Sequence, residues 1–350
     1  MRRLMASRRA ALGYCRADDR LPVGDKPLFL REPGLWENWV CRNGLMPMLY
    51  RNLERARHLD AASEELRMRM EHAFLDSAFQ RERALNTVAR VDEAARRAGI
   101  AFLLMKGLAF SERFYADPAA RPMHDVDILV REKDRGAMVA ALQDLPFEMD
   151  RPESDYASES DMTQRLMNPR EPDLARVEVH WNLVNSAALR SNLLFREDDL
   201  FASAEPLRLG GLEVRIPGPL DTCAQSCIHA AQQHQFERII WLVDSWHALR
   251  YAGCDGLMRT LAQRNSGSPG ALAAIHAVLR MLKGLFPDTG LPDCAEVGPR
   301  GWLTRRCLGL LTPECLLRPE GSAVKWRRKA FREALKWHAR TAPRTSGSEA

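Results

Sequence analysis

Apolar positions recur at helical spacing through the first hundred residues, switch to short continuous runs, and return to helical spacing after about residue 220. In "ASEELRMRMEHAFLDSAFQRERALNTVARVDEAARRAG", Leu66, Met70, Phe74, Leu85, Val88 and Val91 mark one side of a long helix. Gly99 ends it, and glycine is the residue that takes a left-handed C-cap without penalty. "IAFLLM" (Ile100–Met105) is short and wholly apolar, as in a strand covered on both faces. "KGLAFSERFY" turns at Lys106-Gly107 and continues as a helix, "ADPAARP" is a loop, and "MHDVDILV" is a second strand. "REKDRGAMVAALQDL" has the periodicity of an amphipathic helix. Two more strands are predicted at Met162–Met167 and Ala175–Trp181, and "LRLGGLEVRIP" is a hairpin with Gly210-Gly211 at its tip. "DTCAQSCIHAAQQHQFERIIWLVDSWHALRYAG" reads as helix up to Gly253, followed by a loop at Asn265–Ala271 and a helix at Leu272–Phe286.

This pattern predicts an α+β fold. A small mixed sheet at residues 98–218 is flanked by helical regions at 1–97 and 219–340, with a disordered tail at 341–350. Composition narrows the class. Of the 350 residues, 28% are charged and 46% apolar, an ordinary globular profile. No apolar run reaches the length of a membrane span. "MRRLMASRRAALGYCRADDR" lacks the apolar core of a secretory signal, and eight scattered cysteines suit a reducing compartment, so a cytoplasmic location is expected. Cys223, Cys227 and His229 are too few for zinc, and the cysteines are read as buried thiols. The net charge of +5 is concentrated near the C-terminus, without the footprint of a nucleic-acid-binding protein.

The candidate chemistry lies in "RPMHDVDILV". Strand residues two apart share a face, so Asp125 and Asp127 lie together while Val126 and Ile128 point to the other side. Two carboxylates on a strand face require a cation, and a divalent ion with oxygen ligands is the simplest. In "ARVEVHWNL", Glu178 and His180 share a face in the same way. If that strand neighbours the first, Glu178 joins the two aspartates, and three carboxylates can hold two Mg²⁺ ions. Lys106-Gly107, between a strand and a helix, offers a phosphate cradle. Glycine allows close backbone approach, the helix start presents free N–H groups, and Lys106 adds charge.

The order strand, Lys-Gly, helix, Asp-x-Asp strand and later acid resembles the DNA polymerase β nucleotidyltransferase superfamily. "LLMKGLAFSERFYADPAARPMHDVDILV", "VEVHWNL" and "DTCAQSCIHAAQQHQFERIIWLVDSWHAL" are similar to the bacterial uncharacterised nucleotidyltransferase family, from about Ala84 to Leu249. The resemblance implies a polymerase β-like core, with Asp125, Asp127 and Glu178 as catalytic metal ligands and Lys106 and Gly107 at the nucleotide. The usual Gly-Ser or Gly-Gly is here Lys106-Gly107-Leu108, which lacks the hydroxyl that often contacts phosphate.

Further candidates surround these residues. Arg121 is placed to contact triphosphate or to hold the aspartates apart, and His180 to orient a carboxylate or approach the base. His124 points away by alternation. His229, His234, Arg238 and Asp244 either line an acceptor site or make contacts between helices. "KWRRKAFREALKWHAR" (Lys325–Arg340) is a basic amphipathic helix for an acidic partner, a membrane surface or simple packing. The expected activity is Mg²⁺- or Mn²⁺-dependent transfer of a nucleoside monophosphate from an NTP such as ATP. The acceptor is unspecified: a small molecule, peptide or protein is favoured over RNA. The alternatives are a non-catalytic nucleotide-sensing or partner-binding module, and an Asp-x-Asp glycosyltransferase.

Overall fold

Four helices open the chain: α1 (Arg2–Leu12), α2 (Glu37–Arg42), α3 (Met46–Arg55) and α4 (Glu64–Ala98). The computed structural model describes residues 1–18, 20–22, 24, 26–150, 164–184, 196–253, 269–291, 306, 308–319 and 321–341. Helix α4 stops where Gly99 turns left-handed (φ +65°), and the Ile100 amide closes the cap on the Ala95 carbonyl at 2.9 Å. The chain then separates into two compact units. One comprises Met1–Phe74, Asn192–Leu194 and Thr222–Ala350; the other comprises Leu75–Ser191 and Phe195–Asp221.

The second unit contains the sheet. In chain order its elements after α4 are β1 (Phe102–Met105), α5 (Lys106–Phe114), β2 (Asp125–Val130), α6 (Arg135–Gln143), β3 (Phe147–Met149), β4 (Gln164–Pro169) and β5 (Arg176–His180). They are followed by α7 (Glu197–Ala202) and the hairpin β6 (Glu205–Leu209) and β7 (Leu212–Ile216). The five-stranded sheet has the order β1-β2-β5-β4-β3, with β2 and β5 parallel and the other pairs antiparallel. The mixed α+β architecture is the expected one.

One face of the central strands makes the core. Val126, Ile128 and Val130 of β2 and Val177 and Val179 of β5 are fully buried with Val88 and Val91 of α4. Thr87 ties α4 to the sheet, because its Oγ1 accepts the Ala175 amide hydrogen bond at 2.7 Å. The strand at the sheet edge, β3, was not expected. Three residues are too few to establish a period, and it forms only because it pairs with β4. Strand β4 begins at Gln164, whereas Met162–Met167 was predicted, and residues 162 and 163 lie outside the described residues.

The helical unit departs more from expectation. The stretch read as continuous helix splits into α8 (Pro219–Ile228), a π turn (His229–Gln233) and α9 (Ile239–Tyr251). Gln235 and Phe236 between them are left-handed, at φ +44° and +58°. The break holds because Phe236 is buried and Asn43 caps α9, its side-chain oxygen accepting the Ile239 amide at 2.9 Å. Helix α10 (Pro269–Leu285) starts within the expected loop, whose residues 265–268 lie outside the described set. Helices α11 (Pro313–Leu317) and α12 (Ser322–Thr341) complete the unit, and residues 342–350 of the predicted tail are also outside the described set. Trp39 Nε1 donates to the Leu316 carbonyl at 2.8 Å, so α2 and α11 meet in this unit. No helix among the described residues is long and apolar enough to cross a membrane.

Ile128 is fully buried in the core. Ile128→Ala is expected to cost about 2–5 kcal/mol in denaturant unfolding, while Leu75→Ala, at an exposed site, should stay within about 0.5 kcal/mol of the unmodified chain.

Candidate active site

The core-side valines dictate what the other face of the sheet presents. With Val126 and Ile128 in the core, Asp125 and Asp127 must emerge opposite them. Pairing then assembles the neighbours. Asp127 lies directly between Met105 of β1 and Glu178 of β5, and His180 is paired with Leu129 one step along. Lys106 follows Met105 immediately, so its side chain starts beside Asp127.

These groups form a tight network. Lys106 Nζ donates to Asp127 Oδ1 at 2.5 Å, and His180 Nε2 lies 2.8 Å from the same oxygen and 3.4 Å from Glu178 Oε2. Asp127 and His180 are buried, while Glu178 retains partial exposure. Ligand atoms of Asp127, Glu178 and His180 all lie within 4.8 Å of one another, the one such group found among the described residues. Asp125 is not one of these three but lies on the same strand face.

Charge follows the geometry. Burial would raise the Asp127 carboxyl, but Lys106 and His180 outweigh it and hold Asp127 well below the usual carboxylate range. Burial also opposes a charged Lys106, yet Asp127 and Glu178 raise its proton affinity. His180 is raised too: burial and Lys106 work against its proton, and hydrogen bonds to Asp127 and Glu178 win. Asp125 goes the other way. Burial and then repulsion from Asp127 and Glu178 push it up to about 7, more than Lys106 and Arg121 can offset.

The turn before α5 is strained. Lys106 has φ +48°, a region that costs a residue with a Cβ on the order of 1–3 kcal/mol. Gly107 permits a close approach. A Cβ there would stand 3.3 Å from Arg121 Nη1 and 3.5 Å from Met123 Cβ. Arg121 is buried, and its Nη1 donates to the Pro122 carbonyl at 3.1 Å. It is therefore part of the site's frame and not an exposed loop arginine. His124 is exposed, whereas alternation would set it on the core face with Val126 and Ile128; β2 begins only at Asp125, so the strand period does not reach it.

The structure thus brings Lys106, Gly107, Arg121, Asp125, Asp127, Glu178 and His180 into one region of the sheet unit. His180, expected near a nucleotide or carboxylate, is a direct partner of Asp127 and a member of the ligand group. The remaining candidates belong to the helical unit and make a cluster of their own. The His229 and His234 rings are 4.5 Å apart, the Trp241 ring lies 4.2 Å from His234, and Arg238 sits 5.7 Å from the Trp241 centroid. Asp244 is buried. Cys223 and Cys227 are buried free thiols, and burial raises the Cys227 thiol further.

The sequence matches the family described as uncharacterised nucleotidyltransferase over residues 36–287. The chain belongs to this family. The match extends across elements of both units and includes every residue of the carboxylate site. Two solved structures are similar in part. The antibiotic-resistance factor ANT(2'')-Ia is 14% identical, with 52% of this chain and 91% of that one covered and a TM-score of 0.36. An antigenic nucleotidyltransferase-like protein from Paracoccidioides brasiliensis is 15% identical, with 55% and 92% covered and a TM-score of 0.35. At that level neither adds to the assignment. No curated protein matches the chain.

A donor set of carboxylates and one imidazole suits a divalent cation, and the acids' mutual repulsion shows a charge excess that a cation would relieve. The metal-free protein should register this repulsion. Below about pH 4, Asp125 is neutral in both the folded and the unfolded chain. From about pH 4 to its folded value of about 7, the unfolded chain has lost that proton and the folded site retains it, so stability falls as pH rises. His180 adds a loss of the same sign above the usual imidazole range. Thermal unfolding in chelator should show the unmodified chain losing stability against Asp125→Asn across that window, by on the order of a few kcal/mol. A gap between the two that stays constant with pH would contradict the placement of Asp125.

Proposed function

We propose that the chain transfers a nucleoside monophosphate from an NTP to an acceptor hydroxyl and releases pyrophosphate. Asp125, Asp127 and Glu178 would hold Mg²⁺ or Mn²⁺. The observation that supports this most is the register that sets Glu178 beside Asp127, with Lys106 at the end of the adjacent strand. When bound, a divalent ion supplies charge neutralisation for the phosphates and lowers the pKa of a coordinated hydroxyl.

The residues of the chain do the rest. Asp127 sits on the middle of three strands and cannot turn away, so its carboxylate is preorganised. His180 orients it through the hydrogen bond to Oδ1. Lys106 supplies a positive charge that compensates the acids and lies at the start of α5, where it can pass to a phosphate. Met105 gives α5 no side-chain cap, and the first amides of a helix have no intrahelical acceptor, which suits an anion at this end. Gly107 keeps that approach open, with Arg121 packed behind it. Transfer breaks the bond between the α-phosphorus and the pyrophosphate oxygen and forms one from the α-phosphorus to the acceptor oxygen, whose proton is released to solvent as pyrophosphate leaves.

The acceptor class most compatible with the mild net charge is a small molecule, peptide or protein, and ATP is the first nucleotide to test. A second reading is a nucleotide sensor without turnover. It draws on the saturation of Asp127 by both Lys106 and His180, which leaves a balanced network in the absence of metal. Membership of a nucleotidyltransferase family weighs against the nucleotide-sugar alternative.

The direct test incubates the full chain with each α-labelled NTP, Mg²⁺ or Mn²⁺ and a cell extract as acceptor source. Label should move to an acceptor with release of pyrophosphate. Asp127→Ala should reduce transfer by more than about 100-fold, and His180→Ala by about 10- to 100-fold, with folding retained. Transfer that survives in both Asp125→Ala and Asp127→Ala sinks the metal assignment, and nucleotide binding without transfer favours the sensor.

A further inference from the structure

Helix α12 leaves a side of unusual chemistry facing outward. Its apolar stripe, Val324, Phe331, Ala334 and Leu335, is buried, and Phe331 lies 5.5 Å from the Phe236 ring. Arg328 Nη2 donates to the Phe236 carbonyl at 3.2 Å, so the helix is anchored in its unit. The outer side nevertheless carries two tryptophans, Trp326 at 60% and Trp337 at 49% exposure. Indoles are among the most costly side chains to leave in water. Eleven residues separate them, about three helical turns, so they lie on nearly one line about 16 Å apart. Lys325 and Lys329 are exposed beside them.

The charge of this helix sets it apart from the rest of the chain. Ser322–Thr341 holds seven Lys or Arg and one acidic residue, Glu333, for a net +6. The whole chain carries +5, so +5 less +6 leaves −1 for everything else. The basic character of the protein therefore resides in one helix, together with the two indoles most exposed among the described residues.

We infer that this outer side of α12 docks on an anionic lipid bilayer. Around the helix the two indoles are roughly 20° apart and Lys325 and Lys329 lie roughly 60–100° to one side of Trp326, so a planar surface meets all four from the outer side. Tryptophan favours the headgroup region, and lysine reaches lipid phosphates while its stem stays with the acyl boundary. A single-stranded nucleic acid is a poorer fit, because stacking recognition uses a positively charged groove and this is the convex side of a helix. The helix lies on the membrane and does not cross it, in keeping with its many charges.

Flotation of the full chain with phosphatidylcholine vesicles, with and without phosphatidylglycerol, tests this independently of any nucleotide transfer. The chain should float with phosphatidylglycerol vesicles only, show a blue shift of tryptophan emission on binding, and release at high salt. Lys325→Glu with Lys329→Glu should weaken binding by about 10- to 100-fold. Trp326→Ser with Trp337→Ser should abolish the blue shift while the chain keeps a cooperative thermal transition. The lysine pair keeps the test decisive if the tryptophan pair does not fold. No flotation with phosphatidylglycerol, unaltered binding by both double variants, or displacement from vesicles by a single-stranded oligonucleotide overturns the proposal.

Discussion

The parallel pairing of β2 with β5 is the constraint on which the rest of the site depends. It places Val126 against Val177 and Ile128 against Val179, all fully buried, and by the same register places Asp127 beside Glu178. A slip of one residue would drive the aspartates into the core and expose the valines, so the hydrophobic effect fixes the polar face as firmly as the apolar one. Burying one Val or Ile is worth about 1.5–3 kcal/mol, and five of them line this pair of strands. That energy holds carboxylates together against their repulsion.

Burial and that repulsion fall unevenly on the two aspartates. Asp127 is stabilised as an anion because Lys106 and His180 both point at one oxygen, whereas Asp125 has no such direct pair among the described residues and is pushed up to about 7 by burial and the neighbouring acids. Lys106 is therefore an internal cation, delivered by a left-handed turn that costs strain. A lysine at this place neutralises the acids when no other cation is present. The glycine that follows Lys106 keeps room for Arg121.

Much of the site was legible because period-two alternation is local. Asp125, Asp127, Glu178 and His180 could be assigned to faces from their own strands alone. Which strand lies beside which is a tertiary fact, and only the structure shows β2 against β5. The left-handed backbone of Lys106 carries no sequence signal, since lysine is not a residue that favours that region. Strand β3 was too short to show a period. The break at His229–Arg238 was hidden because apolar residues continue at helical spacing through it, and only the burial of Phe236 and the cap from Asn43, distant in sequence, impose it.

We propose that Asp127 is the carboxylate that gives up Lys106 for a metal ion while His180 keeps it oriented. Electron paramagnetic resonance of Mn²⁺ added to the full chain with a non-hydrolysable NTP analogue measures this directly. Bound Mn²⁺ should be present in the unmodified chain, fall to background in Asp127→Asn, and bind more tightly in Lys106→Ala, where the internal competitor is gone. Equal Mn²⁺ binding by the unmodified chain and Asp127→Asn would contradict the account.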